Sequence, residues 1–451
     1  MLFQTVTLGC KVNQYETQLI RETFLANGWR EAPDGQADLV VINTCSVTAE
    51  SDAKGRKAAS AAARANPRAK LAVIGCGAAA DPEAMARLRQ VAYVVPDKRK
   101  LPEFFKELGL TEIPEGVTSL GTRHRAYVKV QDGCRVGCAY CQVPLTRPYL
   151  QSRPADSVAR EVRRLAEAGY REIVLTGIHL GHYGLDFDAI DFPASYALVT
   201  NLLVDYLASR DFLPTEKRHT LTKLLERLLE EDLPVRFRLG SLEAAETGDD
   251  LIDLIARSGG RVCPHFHLSM QSGSDAVLSR MRRRYRAEEF LDRCARIRQR
   301  IPNAALTTDV IVGFPGESDD DFAASCELVK KIGFAKTHIF RYSPRPKTRA
   351  ADYPDQIPEP VKKQRAAELG KVAAAARDAY AAGLIGKTVH VLIEQTRPGS
   401  GGALLAGTSE YYLEAAASAD DFPLAECGQV LTGKVISAEA GELRIGPVKE
   451  K

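Results

Sequence analysis

Three cysteines, Cys134, Cys138 and Cys141, fall within eight residues of the stretch QDGCRVGCAYCQVP. That spacing lets one loop wrap one metal centre, yet a structural zinc site or an ordinary iron–sulfur cluster takes four ligands. A [4Fe–4S] cluster held by three cysteines leaves one iron free to bind something else. The alternative is zinc completed by His124, His179 or His182. A second set stands apart: Cys10, Cys45 and Cys76 each end an apolar run, in LFQTVTLGC, ADLVVINTC and KLAVIGC. If those runs are strands of a parallel open sheet, their carboxyl ends share the edge where ligands bind. Three residues far apart in sequence would then meet at one ligand; the alternative is three unrelated buried thiols. Cys294 and Cys326 sit in helical patterns and read as small buried apolar residues.

The elements around these cysteines predict an α/β protein. Residues 1–102 alternate short apolar strands with helices, which implies a doubly wound parallel sheet. Residues 103–125 read as a linker. From 126 to 375, six strand–helix units begin with AYVKV, REIVLTG, PVRFRLGS, HFHLSM, ALTTDVIVGFP and KTHIFRYS. They suggest a partial (β/α)6 barrel with its site at the carboxyl ends of the strands, and the three-cysteine loop follows the first of them. An insertion at 185–220 interrupts the rhythm and reads as a lid, a subdomain or a long loop. A basic helix from Glu359 to about Ala382 precedes three glycine-divided strands, so residues 376–451 read as a small β-barrel.

The 451-residue chain has a formal net charge of +3, so any nucleic-acid contact rests on local basic patches. RMRRRYR (280–286) and FRYSPRPKTR (340–349) are candidates; each could equally be a solvated face. Arg345 and Lys347 are the expected substrate contacts. The N-terminus has no signal-peptide pattern and no apolar run reaches membrane-span length. The expectation is a cytoplasmic protein without a membrane partner, in which ten cysteines stay reduced.

CRVGCAYC, with Tyr140 before its third cysteine, resembles the signature of radical S-adenosylmethionine enzymes. The resemblance implies that S-adenosylmethionine chelates the open iron and is cleaved reductively to a 5′-deoxyadenosyl radical. It also implies cofactor contacts at Tyr140, Gly177, Ser241, Glu243 and Gln271. TLGCKVNQYET, NTCSVTAESDAKGRK and VIGC resemble the signatures of the methylthiotransferase domain, which implies a second [4Fe–4S] cluster on Cys10, Cys45 and Cys76. RYSPRPKT is another segment of that family, and the terminal barrel resembles its RNA-binding TRAM domain. The resemblance runs from about residue 2 to 446.

The family reaction uses one S-adenosylmethionine to methylate sulfur on the auxiliary cluster and another to activate a C–H bond. It implies tRNA as partner, a sulfur donor, and a reductase or flavodoxin-type electron donor. No catalytic residue is implied beyond the cluster ligands. LGCKVNQYET most resembles the branch that modifies C2 of N6-threonylcarbamoyladenosine beside the anticodon. The alternatives are the isopentenyladenosine branch, the ribosomal-protein branch, and a non-catalytic iron–sulfur or zinc RNA-binding protein. Departures from the family pattern fall at Gln142, Pro148, Gly240, Ser269 and Met270.

Overall fold

The computed structural model describes residues 1–33, 35–188, 218–399 and 401–448; most of the insertion at 185–220 lies outside the described residues. Five parallel strands open the fold: β1 (Leu2–Thr7), β2 (Arg30–Glu31), β3 (Leu39–Thr44), β4 (Lys70–Gly75) and β5 (Val91–Val95), in the order β2-β1-β3-β4-β5. Every residue of β3 is buried, as a central strand covered on both faces requires. Its side chains alternate between two cores. Leu39 and Val41 pack with Phe3, Phe24 and Trp29, while Val40 and Ile42 pack with Ala59, Ala63 and Leu71. Helices Lys11–Ala26 and Ala49–Ala65 supply those two covers. Phe104, Phe105 and Leu110 join the first core, so its packing extends into the segment read as a linker.

The six expected parallel strand positions follow. They are β6 (Arg125–Lys129), β9 (Glu172–Thr176), β10 (Arg236–Leu239) running into β11 (Ser241–Leu242), β12 (His265–Leu268), β13 (Ala305–Val312) and β14 (Lys336–Arg341). They form two parallel sheets, β10-β9-β6 and β11-β12-β13-β14, with Phe237 bridging to Val262 beside them. A short antiparallel pair, β7 (Gln131–Asp132) with β8 (Gln151–Ser152), pinches together the two ends of the segment that carries Cys134, Cys138 and Cys141.

Helix Glu359–Ala382 is continuous through residue 375 and packs along β14. The C-terminal strands β15 (Thr388–Gly399), β16 (Gly402–Ser409), β17 (Glu414–Ser418), β18 (Val430–Glu439) and β19 (Glu442–Gly446) close into a barrel in the order β15-β16-β17-β19-β18. Five strands stand where the sequence suggested three, because β16 and β19 are short or rich in alanine and glycine. Two arginines fasten this barrel to β10. Arg236 donates to the carbonyls of His390 and Thr408, and Arg238 to those of Ser409 and Glu410. Both pair with the fully buried Glu172 at 2.7 Å. No helix among the described residues is long and apolar enough to cross a membrane.

Candidate active site

Each cysteine of the N-terminal set directly follows, or nearly follows, a strand. Cys45 and Cys76 come immediately after β3 and β4, and β1 precedes Cys10 by two residues. These strands are neighbours in the sheet, with Thr7 level with Asn43 and Thr44 level with Gly75. Cys10 also caps the Lys11–Ala26 helix, whose N-terminal dipole favours a negative centre there. The chain turns at Gly9 (φ +102°), where a Cβ would come within 3.0 Å of the Cys45 Sγ. Burial raises the Cys45 pKa, and the thiols of Cys76 and Cys10 add to the rise.

The second set faces a cavity of about 190 Å³ at the carboxyl ends of the barrel strands. Cys134, Cys138 and Cys141 line it together with Tyr140, Ser241, Glu243 and Gln271. Gln271 holds a left-handed backbone (φ +63°) fixed by bonds with Asp309 and Ile311. Gly177 is not on the wall; its neighbours Ile178 and His179 are. A Cβ at Gly177 would stand 3.0 Å from the Gln131 amide oxygen, so its smallness serves packing against the strand that leads into the loop.

Among the described residues, only His179, His182 and Glu246 bring three ligand atoms within 4.8 Å of one another. Neither cysteine set is that tight, whereas sulfurs sharing one zinc at ~2.3 Å bonds lie about 3.8 Å apart. The donor sets therefore suit a multi-iron cluster better than a single ion. His179 is the zinc candidate that does touch the loop: its Nδ1 is 3.5 Å from Cys134 Sγ and its Nε2 is 2.7 Å from Glu246. His182 stacks on His179, with ring centres 3.7 Å apart.

Arg283 is a site residue the sequence reading missed. Its guanidinium donates to Cys138 Sγ at 3.2 Å and pairs with Glu243 at 3.0 Å. It lies inside the arginine-rich run 280–286, where composition alone cannot say which arginine turns inward. The correction works in the other direction for Arg345, which was expected to contact substrate. It is 3% exposed, ion-paired with Asp52, and hydrogen-bonded to Ser46 and Gln142. A guanidinium so committed holds protein to protein. Lys347 is exposed, with a left-handed backbone at φ +65°.

These bonds join the two cysteine sets. Ser46, which follows Cys45, donates to the side chain of Gln142, which follows Cys141, at 2.7 Å. Gln142 departs from the apolar family residue, and here its amide also bonds the Pro346 carbonyl. A second bridge runs through Arg147. It donates to Cys76 Sγ at 3.4 Å, to Glu16 at 2.9 Å and to Asn13 at 3.1 Å, and it pairs with Asp132, two residues before Cys134. Lys98 and Lys129 complete this buried network by pairing with Glu16. Burial would raise the Asp132 pKa, but Lys129, Arg147 and Lys98 outweigh it and hold the carboxyl far below its ordinary value.

A model of the radical SAM superfamily matches residues 128–329, and a model described as uncharacterized protein family UPF0004 matches residues 3–96. The chain is 35% identical to a protein of Chlamydia pneumoniae named threonylcarbamoyladenosine tRNA methylthiotransferase MtaB, over 91% of this chain and 90% of that one. It is 33% identical to the protein of the same name from Thermotoga maritima, over 90% and 89%. A protein of Mycolicibacterium paratuberculosis named tRNA-2-methylthio-N(6)-dimethylallyladenosine synthase is 34% identical, over 87% of this chain and 75% of that one. Among solved structures, the radical S-adenosylmethionine methyltransferase TsrM from Kitasatospora setae shares the fold with a TM-score of 0.50 at 14% identity, covering 78% of this chain and 76% of its own.

Proposed function

The chain belongs to the radical S-adenosylmethionine tRNA methylthiotransferases, and from that premise we propose that it methylthiolates C2 of N6-threonylcarbamoyladenosine beside the tRNA anticodon. One observation carries the reading. Two sets of three thiols lie on segments joined across one interface by the Ser46–Gln142 bond and by Arg147, which reaches from the second set's loop to Cys76. Cys134, Cys138 and Cys141 would hold one [4Fe–4S] cluster, and Cys10, Cys45 and Cys76 the other. When bound, the clusters and S-adenosylmethionine supply reductive sulfonium cleavage at one open iron and sulfur presentation at the other.

The protein's own residues do the rest. Tyr140, Ser241, Glu243 and Gln271 shape the cavity beside the first set. Glu243 is a buried carboxylate suited to the ammonium or ribose hydroxyls of the cofactor, with Arg283 fixing its direction. Arg283 and Arg147 each bring a guanidinium to a sulfur of one set, offsetting the negative charge that thiolate-ligated clusters carry. The threonylcarbamoyl branch is favoured by the CKVN sequence after Gly9 and by the relatives that carry that name. Residues 388–446 would grip RNA, while a sulfur donor and an electron donor complete the cycle; the site would work in the cytoplasm.

Anaerobic reconstitution tests this assignment. The expected content is about eight irons per chain, dropping to about four when either cysteine set is changed to alanine. Changing Cys10, Cys45 and Cys76 should leave S-adenosylmethionine cleavage intact while abolishing methylthio transfer. Four irons in the unaltered chain, or zinc on Cys134, Cys138 and Cys141, would contradict it.

A further inference from the structure

The barrel wall leading up to the cavity carries polar residues that the two cysteine sets leave unused. Partners across parallel strands share a face, so Thr307 projects with Lys336, and Asp309 with His338. His267 joins them, with Nδ1 2.9 Å from the Thr307 hydroxyl and Nε2 3.3 Å from Asp309. His265 Nε2 meets the same hydroxyl at 2.9 Å. Tyr412, from the turn between β16 and β17, closes this wall. Its ring stacks on His265 with centres 4.6 Å apart. Its backbone sits at φ +63°, a conformation that costs a tyrosine energy and persists only where surrounding contacts impose it.

Three cations gather on that ring. Arg238 lies 5.3 Å from its centre and is paired with Glu172, a carboxylate it shares with Arg236. Lys11 Nζ lies at 5.8 Å and Lys336 Nζ at 5.7 Å. Among the described residues, neither ammonium has a carboxylate partner or a hydrogen bond. His265 Nδ1, on the stacked ring, is also buried without a partner. Two ammoniums beside one ring, the partly buried Lys11 and the exposed Lys336, give this surface a positive potential that an anion would complement. A surface built for an uncharged ligand gains nothing from such a pair.

We propose that Lys11 and Lys336, over Tyr412, form an anion subsite that receives the carboxylate on the N6 substituent of the substrate adenosine. This rests on the tRNA reading above and adds the residues that choose the substrate. A threonylcarbamoyl group ends in a carboxylate, whereas a dimethylallyl group has no charge to offer. C2 and the N6-bearing carbon of adenine flank a single ring nitrogen, so the substituent hangs beside the carbon to be modified. Lys11 directly follows Cys10, their Cα atoms ~3.8 Å apart, so its side chain runs from the set assigned to sulfur presentation to the Tyr412 ring. Arg345 and Lys347 take no part in this subsite.

The test uses the full reconstituted chain with three anticodon stem-loop RNAs. One carries N6-threonylcarbamoyladenosine, one its carboxylate methyl ester, and one unmodified adenosine. Dissociation constants come from fluorescence anisotropy and kcat/KM from nucleoside mass spectrometry. Lys11→Gln and Lys336→Met should each lower kcat/KM for the free carboxylate about 10- to 100-fold. Their effect on the ester should be at least about tenfold smaller, so that discrimination between the two RNAs collapses. Lys11→Arg should retain it. Iron content and S-adenosylmethionine cleavage matching the unaltered chain would exclude misfolding. Equal losses on acid and ester, or discrimination unchanged in both variants, would overturn the subsite while leaving the methylthiotransferase reading intact. An unaltered chain that cleaves S-adenosylmethionine yet modifies none of the RNAs would overturn the substrate reading itself.

Discussion

Replacing Arg147 with alanine removes a guanidinium that touches both halves of the site. Arg147 is 1% exposed, and its partners Glu16 and Asp132 have side chains only 4% exposed. Stripping one member from a buried charge network costs about 3–5 kcal/mol, because the opposite charges remain without their partner. Lys98 and Lys129 still reach the two carboxylates, which puts the expected loss at the lower end, about 3 kcal/mol. Arg147→Lys keeps the charge but cannot present donors to Cys76, Asn13, Glu16 and Asp132 at once; about 1–2 kcal/mol is expected from the lost hydrogen bonds. Urea unfolding of the metal-free chain reads both numbers as midpoint shifts multiplied by the common slope. Adding Asp132→Asn to Arg147→Ala should recover part of the loss, since one unpaired carboxylate is then gone. A loss below about 1 kcal/mol for Arg147→Ala, or no recovery in the double variant, would refute the claim that this network locks the N-terminal sheet to the barrel.

Arg345→Ala should destabilise the chain by about 3 kcal/mol through the stranded Asp52, whereas Lys347→Ala, at an exposed position, should stay within about 0.5 kcal/mol; urea midpoints distinguish them. Burial raises Glu410 to about 7 from an ordinary 4.5. A raised folded-state pKa means its contribution to stability is fully present below the ordinary value and is lost as pH rises through about 7. Glu410→Gln should therefore stabilise the chain by about 1–3 kcal/mol at pH 8 and by almost nothing at pH 4.5, read from urea midpoints at the two pH values.

Much of the frame was legible because parallel strands announce themselves. The continuous apolar runs of β3 and β4 end on Cys45 and Cys76, and any open parallel sheet sends such ends to one edge. The barrel strands were legible for the same reason, down to the loop after β6. What sequence could not supply was direction. Arg283 and Arg345 look alike as residues of basic runs, yet one turns onto a cysteine sulfur and the other into an interface with Asp52. Lys11 was visible as part of a motif, but its nearness to Lys336 and Tyr412 depends on three segments more than 70 residues apart in the chain. Gln142 read as a departure from pattern; its bond to Ser46 exists only once the two sheets meet. The strands β16 and β19 were not read because their pairing in a closed barrel, rather than local propensity, makes them strands.

The most direct measurement supplies the reconstituted protein with S-adenosylmethionine, a reductant, sulfide and tRNA bearing N6-threonylcarbamoyladenosine, and then analyses the nucleosides by mass spectrometry. The account expects 2-methylthio-N6-threonylcarbamoyladenosine, dependent on all six cysteines of the two sets. S-adenosylmethionine cleavage without that nucleoside, or its formation after loss of Cys10, Cys45 and Cys76, would contradict the account.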